Sequence, residues 1–184
     1  MKEARLNPGD IVLLLQDEAS FYRQPSQSWL WASFGRRQPK MRYSHRSNTL
    51  MRVVGFLDIA TGKVLAWDCS KVSVKRLAQF IRKVARAYPQ AKTIYLAWDN
   101  WPNHYHPVVL EALQEDPRLV VLPLPTYSPW LNNIEKLWRL LRQEVAHAHP
   151  WCDDFIQFRQ TIRNSLAEFS DGSHRLLNYC GLSY

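Results

Sequence analysis

The sequence predicts a mixed α/β domain: a five-stranded sheet, three antiparallel strands followed by parallel additions, with helices on both faces. Three observations lead there. Two short apolar runs, residues 11–16 and 93–98, are too brief for helices and suit strands buried on both faces. Two further runs, 51–59 and 63–69, flank Ala60-Thr61-Gly62 as a hairpin would. Later segments carry apolar residues at helical spacing and alternate with strand runs, the pattern of a sheet covered by helices. With 184 residues the chain has room for one domain, and 46% hydrophobic against 22% charged residues is a globular mix that excludes a wholly disordered or low-complexity protein.

Taken in order, residues 11–16 leave the Asn7-Pro8-Gly9-Asp10 turn cluster and lead into Asp17-Glu18. Residues 28–34, rich in Trp and Phe, could pair with that strand; 51–59 and 63–69 complete an antiparallel set. Ser73 is a candidate N-cap for a helix whose stripe is Leu77, Phe80, Ile81, Val84 and Tyr88, stopped by Pro89. Residues 93–98 form the next strand and deliver Asp99 at their carboxyl end. A short helix over 107–114 and a strand over 119–124 follow. The turn PLPTYSPWLNN opens a helix with the stripe Ile134, Leu137, Leu141 and Val145, and a last helix over 154–169 uses Phe155, Phe158, Ile162 and Leu166. The first and fourth strands can lie side by side in parallel, which brings Asp17 and Asp99 to one end of the sheet.

Carboxylates gathered at one place repel one another, so a cluster of them implies a cation that offsets the repulsion. Mg²⁺ prefers hard oxygen donors, and two such ions can serve phosphodiester chemistry. Glu135, in the first turn of the helix after YSPWLNN, offers a third carboxylate on the face of Arg139 and Arg142. Asn132-x-x-Glu135 is equally the pattern of a capping box, in which the glutamate satisfies backbone donors. Singly, Asp17 and Asp99 also read as acids that merely end a strand.

Three blocks carry a resemblance: Asp17-Glu18, then Asp99-Asn100-Trp101-Pro102-Asn103-His104, then the run from Tyr127 to Trp138, YSPWLNNIEKLW. They resemble the catalytic blocks of bacterial insertion-sequence transposases related to the mariner superfamily. The resemblance implies a ribonuclease H-like catalytic domain whose D,D,E triad, here Asp17, Asp99 and Glu135, binds two Mg²⁺ ions, with Mn²⁺ as a substitute. Thirty-five residues separate Asp99 from Glu135, within the short spacing of that family. His104 matches its D-N-x-x-x-H pattern and is expected, with Glu18, Asn100 and Asn132, to stand behind the ligands and orient them; as a lone histidine it reads equally as a structural residue. The family usually has L-N-P-I-E where this chain has Asn133, which gives up a proline pre-organised for a helix start. Sixteen residues precede Asp17, so the helix-turn-helix domain of such transposases is expected to be absent and the whole of 1–184 to be one catalytic domain. A second reading frame joined by frameshifting, a relic and an excised domain remain open.

The implied function is cleavage at element ends and strand transfer into target DNA. Two other readings stay open: a ribonuclease H-like nuclease, and a catalytically lapsed DNA-binding or assembly protein. The net charge of +8 suits a polyanionic partner. From Ala19 to Leu57 there is no acidic residue, while Arg23, Arg36, Arg37, Lys40, Arg42, Arg46 and Arg52 supply seven cations. Those residues, with Arg139 and Arg142, are the expected phosphate contacts. Trp29, Trp67 and Trp98 are expected in the core, and Trp101 and Trp130 against unpaired bases. A separate helix-turn-helix subunit and a homodimer are the other expected partners. Three widely spaced cysteines and no early apolar stretch point to a reducing bacterial cytoplasm, beside the nucleoid, with no membrane role.

Overall fold

The computed structural model describes residues 9–26, 34–35, 40–126 and 128–183. The chain order is β1 (Ile11–Tyr22), β2 (Leu50–Asp58), β3 (Val64–Cys69), α1 (Val74–Ala87), β4 (Thr93–Trp98), α2 (Pro107–Gln114), β5 (Leu119–Pro123), α3 (Ile134–Leu141), α4 (Phe155–Ala167) and α5 (His174–Cys180). The sheet runs β3-β2-β1-β4-β5. β1 pairs antiparallel with β2 and parallel with β4, β2 antiparallel with β3, and β4 parallel with β5. The expected mixed sheet is the one observed.

Alternation along the central strands divides the core into two layers. Val12, Leu14, Val54, Phe56, Ile94 and Leu96 face α1, whose Leu77, Phe80, Ile81 and Val84 cover them. Leu13, Leu15, Val53 and Leu57 face the other way, under Leu137 and Leu141 of α3, Phe158 and Ile162 of α4 and Leu176 of α5. Each buried Leu, Ile or Phe contributes about 1.5–3 kcal/mol of hydrophobic transfer, so both layers are needed. The start of α1 is capped by Ser73, whose Oγ accepts from Arg76 N–H at 3.3 Å. Its far end is braced by Arg118, which donates to the carbonyls of Ala85, Tyr88 and Ala91, a cation meeting the negative end of a helix.

Three expectations need correction. The first strand does not stop at Gln16: β1 continues to Tyr22, so Asp17 and Glu18 lie within it rather than at its end. The cause is its pairing. The register with β4 ends at Leu15↔Ala97, whereas that with β2 continues to Tyr22↔Leu50. Polar residues become tolerable where one neighbour stops, while Ala19 and Phe21 still bury. Second, the helix begun at Ile134 is regular only to Leu141, then widens into a π-type turn over Arg142–Ala146. Third, α5 was not expected; Ser173 caps it, accepting from Leu176 N–H at 3.1 Å, and Gly181 closes it at φ 68°. The expected strand over 28–34 falls outside the described residues except for Phe34, and Trp29, Arg36, Arg37 and Tyr127 lie outside them too. Among the described residues no helix is long and apolar enough to cross a membrane.

Candidate active site

Gly55 stands opposite Asp17 in the β1–β2 register, and its missing side chain shapes what lies above. A Cβ there would come within 2.5 Å of the indole of Trp138. Trp138 therefore settles on the sheet, buried, and its Nε1–H donates to Asp17 Oδ2 at 3.0 Å. Burial is the main influence on Asp17, followed by the helpful backbone contact of Glu18, the charge of Glu18, the Trp138 bond and the charge of Glu135. Desolvation wins over the two hydrogen bonds, and the carboxyl is pushed up to about 7 from 3.8.

Asp17, Glu18 and Glu135 line one cleft of about 330 Å³ together with Trp138, Arg139, Arg142, Gln143 and His147. Asp17 meets Trp138 on one face of the sheet, while Glu18, on the other, accepts from Gln16 Nε2 at 2.9 Å. Glu135 projects from the first turn of α3, exposed. The capping box does not form: Asn132 Nδ2 instead donates to Gln16 O at 3.0 Å, its Oδ1 has no partner among the described residues, and the N-cap Asn133 makes no side-chain cap. Asn132 thus ties the approach to α3 directly to the strand of Asp17.

Asp99 follows β4, two residues beyond the last β1–β4 pair, as Asp17 does on the neighbouring strand. It does not line the cleft. Its Oδ1 accepts from Trp101 N–H at 3.0 Å, and its side chain is 63% exposed. His104 is 1% exposed, stacked 4.5 Å from Trp98, with Nδ1 2.9 Å from Asp99 O and 3.3 Å from Asp99 Oδ1. Its Nε2 lies 3.9 Å from Glu18 Oε1. One buried ring therefore spans from the loop of Asp99 to the strand of Asp17. Asn100 holds the same loop, donating to Leu124 O and Thr126 Oγ1 at 3.2 Å and accepting from Tyr105 Oη–H at 2.8 Å.

Among the described residues no three His, Cys, Asp or Glu side chains converge on one metal position. The donor chemistry nonetheless fits a divalent cation, since Asp17 is desolvated beside Glu18 and Glu135, whose carboxylates are hard oxygen donors. The cysteines, all buried and free, take no part in the cleft.

The basic residues divide. Lys40, Arg42 and Arg46 are exposed, and Arg139 and Arg142 border the carboxylates. Arg23 is engaged inside the fold, donating to Thr49 Oγ1 at 2.9 Å with its guanidinium 4.8 Å over the Phe155 ring, and Arg52 donates to Ser70 O at 2.9 Å. Trp101 is half-buried against His104 with ring centres 5.5 Å apart, whereas Trp130 is 73% exposed. Gln143 and His147 were not visible as site residues in the sequence. His147 is brought there by a bridge to Ser26, whose Oγ lies 2.6 Å from its Nδ1, a contact across 121 residues that no local pattern announces.

The 39 kDa protein of insertion element IS630 from Shigella sonnei is 28% identical over 164 residues, covering 88% of this chain and 47% of that protein. The chain thus spans about half the length of this relative. A pre-cleavage Mos1 transpososome superposes with a TM-score of 0.63 at 17% identity, over 98% of this chain and 56% of that one. The Mos1 mariner paired-end complex with Mg gives 0.62 at 18% identity, over 94% and 53%. The fold is therefore ribonuclease H-like, with the Mos1 catalytic domain as a structural neighbour. The pattern of the DDE superfamily endonucleases matches residues 12–158, which include Asp17, Asp99 and Glu135, and the chain belongs to that family.

Proposed function

We propose that the chain is the catalytic domain of a transposase of the insertion-sequence and mariner type, cutting phosphodiester bonds at element ends and joining them to target DNA. The observation that carries this reading is the cleft lined by Asp17, Glu18, Glu135, Arg139 and Arg142, beside the point where β1 has lost its parallel neighbour. Asp17, Asp99 and Glu135 are assigned as ligands of two Mg²⁺ ions, replaceable by Mn²⁺. Bound there, such ions supply an activated attacking oxygen and neutralise charge on the departing one. The protein's part is positional. Trp138 holds Asp17 Oδ2 toward the cleft, and His104 and Asn100 fix the loop of Asp99. Arg139 and Arg142, with the exposed Lys40, Arg42 and Arg46, take the phosphates.

By resemblance, end recognition falls to a separate or fused helix-turn-helix partner, and a homodimer is the further expected partner; the chain spans about half the length of the IS630 relative, and the Mos1 transposase has been captured in a paired-end complex with a transposon end. The same reading puts the protein in the bacterial cytoplasm with the nucleoid. The test is nicking of supercoiled plasmid in Mg²⁺ or Mn²⁺, with an RNA–DNA hybrid as a second substrate. Wild type should nick the plasmid and Asp99→Asn should lose at least about a hundredfold, about 2.7 kcal/mol of transition-state stabilisation. Full activity in Asp99→Asn would overturn the triad. Preference for the hybrid would favour a ribonuclease H-like nuclease, and salt-sensitive DNA binding indifferent to metal would favour a lapsed enzyme.

A further inference from the structure

The carbonyl of Cys180, the last residue of α5, receives two side-chain donors, Asn133 Nδ2 and Lys136 Nζ, each at 2.8 Å. A helix C-terminus leaves carbonyls without internal partners and carries partial negative charge, so an amide and an ammonium group are apt occupants. Gly181 closes α5 with its N–H on Asn178 O, and Leu182 N–H returns to Leu177 O at 2.8 Å, which fixes where the Cys180 carbonyl points. Asn133 and Lys136 flank Glu135 in the first turn of α3. Beside them, Asn132 donates to Gln16 O at 3.0 Å. α5 lies beyond residue 158, where the family match ends.

We propose that Asn133 and Lys136, by gripping the Cys180 carbonyl, are positioning residues for Glu135, and that α5 is the brace against which the third carboxylate is held. This rests on the assignment of Glu135 as a metal ligand. It accounts for the departure from L-N-P-I-E noted in the sequence. Proline fixes a helix start through its ring, whereas Asn133 fixes it through a side chain that needs a partner on another element. Its backbone, at φ −63° and ψ −12°, has the φ that proline requires. Proline can therefore replace Asn133 without straining that angle, restoring local rigidity while deleting the tie to α5.

The experiment is calorimetric titration of Mn²⁺ into the full chain as wild type, Asn133→Ala, Lys136→Met, the double variant and Asn133→Pro, with amide hydrogen exchange at residues 134–137 as a second readout. Asn133→Ala and Lys136→Met should each weaken Mn²⁺ binding several-fold and speed exchange of the first-turn amides, and the double variant should weaken binding about tenfold or more. Asn133→Pro should bind within about twofold of wild type. A merely structural role for the tie lowers the melting temperature of every variant, Asn133→Pro included, without this rescue. Titrations run well below each melting temperature separate the two, and if the double variant does not fold the single variants decide. Mn²⁺ affinity and exchange unchanged in both single variants would overturn the brace. Wild-type Mn²⁺ binding equal to that of Glu135→Gln would instead overturn the ligand assignment on which it stands.

Discussion

The two halves of β1 use one strand for opposite purposes. Residues 11–15 all pair with β4, and Leu14 and Leu15 pair with β2 as well, with every residue from Val12 to Leu15 buried. Among the described residues, 16–22 keep only β2 as a strand partner, and there the sequence turns to Gln16, Asp17 and Glu18. On the side where a parallel strand has ended, side chains rather than backbone take over: Trp138 meets Asp17, and His104 approaches Glu18. A carboxylate that is to hold a cation needs a rigid base and an open side at once. A strand that loses one of two neighbours provides both, which is why the crevice at strand ends is the usual ligand site of such sheets.

The difference can be broken most severely in the sandwiched half. Leu14 is fully buried between its sheet neighbours and α1, so Leu14→Ala should cost about 3 kcal/mol through lost transfer energy and the cavity left behind. Urea unfolding of the purified chain measures it. A loss below 1 kcal/mol would mean that this half of the strand is not the anchor its packing implies.

The open half should respond in the opposite direction. In Asp17 the carboxyl stays protonated to about 7 in the folded chain, against 3.8 unfolded. As pH rises from about 4 to 7 the unfolded state ionises first, so this group lowers folding stability across that window and no further above it. Asp17→Asn removes the ionisation and keeps an acceptor for Trp138 Nε1–H. The variant should therefore match wild type at pH 4 and exceed it by about 2 kcal/mol at pH 8 without metal, about half of what the full rise represents, because the open cleft admits screening solvent. Melting curves at the two pH values suffice, and equal stability at pH 8 would remove burial as the dominant influence on this carboxylate.

Legibility followed the same divide. Where a segment's own residue pattern is unbroken, the sequence is enough: β4 occupies 93–98 and α2 occupies 107–114, as the apolar run and the helical spacing indicate. In β1, Gln16-Asp17-Glu18 breaks the apolar run that marks a strand, and only the continued pairing with β2 beyond the end of β4 explains why the strand goes on. α5 has seven residues, too few to set up a readable period. The acids of the cleft stood out as residues at strand and helix boundaries. What joins them did not: Gly55 below Trp138, Ser26 on His147 and Asn133 on Cys180 are contacts between distant segments, fixed only when the sheet is assembled.

The smallest expected effect tests the tryptophan that links the two faces of this comparison. Trp138 Nε1–H donates to the ionised form of Asp17 and so opposes the rise that burial causes. Phenylalanine at that position keeps an aromatic ring over Gly55 and deletes the donor. Trp138→Phe should raise the Asp17 pKa above its wild-type value, a change worth on the order of 1 kcal/mol, as for a hydrogen bond to a charged acceptor. The cavity left by the smaller ring adds a loss of stability that does not vary with pH, so the two contributions separate. NMR titration of the Asp17 carboxyl carbon reads the first and unfolding at pH 4 reads the second. An unchanged Asp17 titration would mean that the indole serves only as packing, and that the carboxylate is held in the cleft by the strand alone.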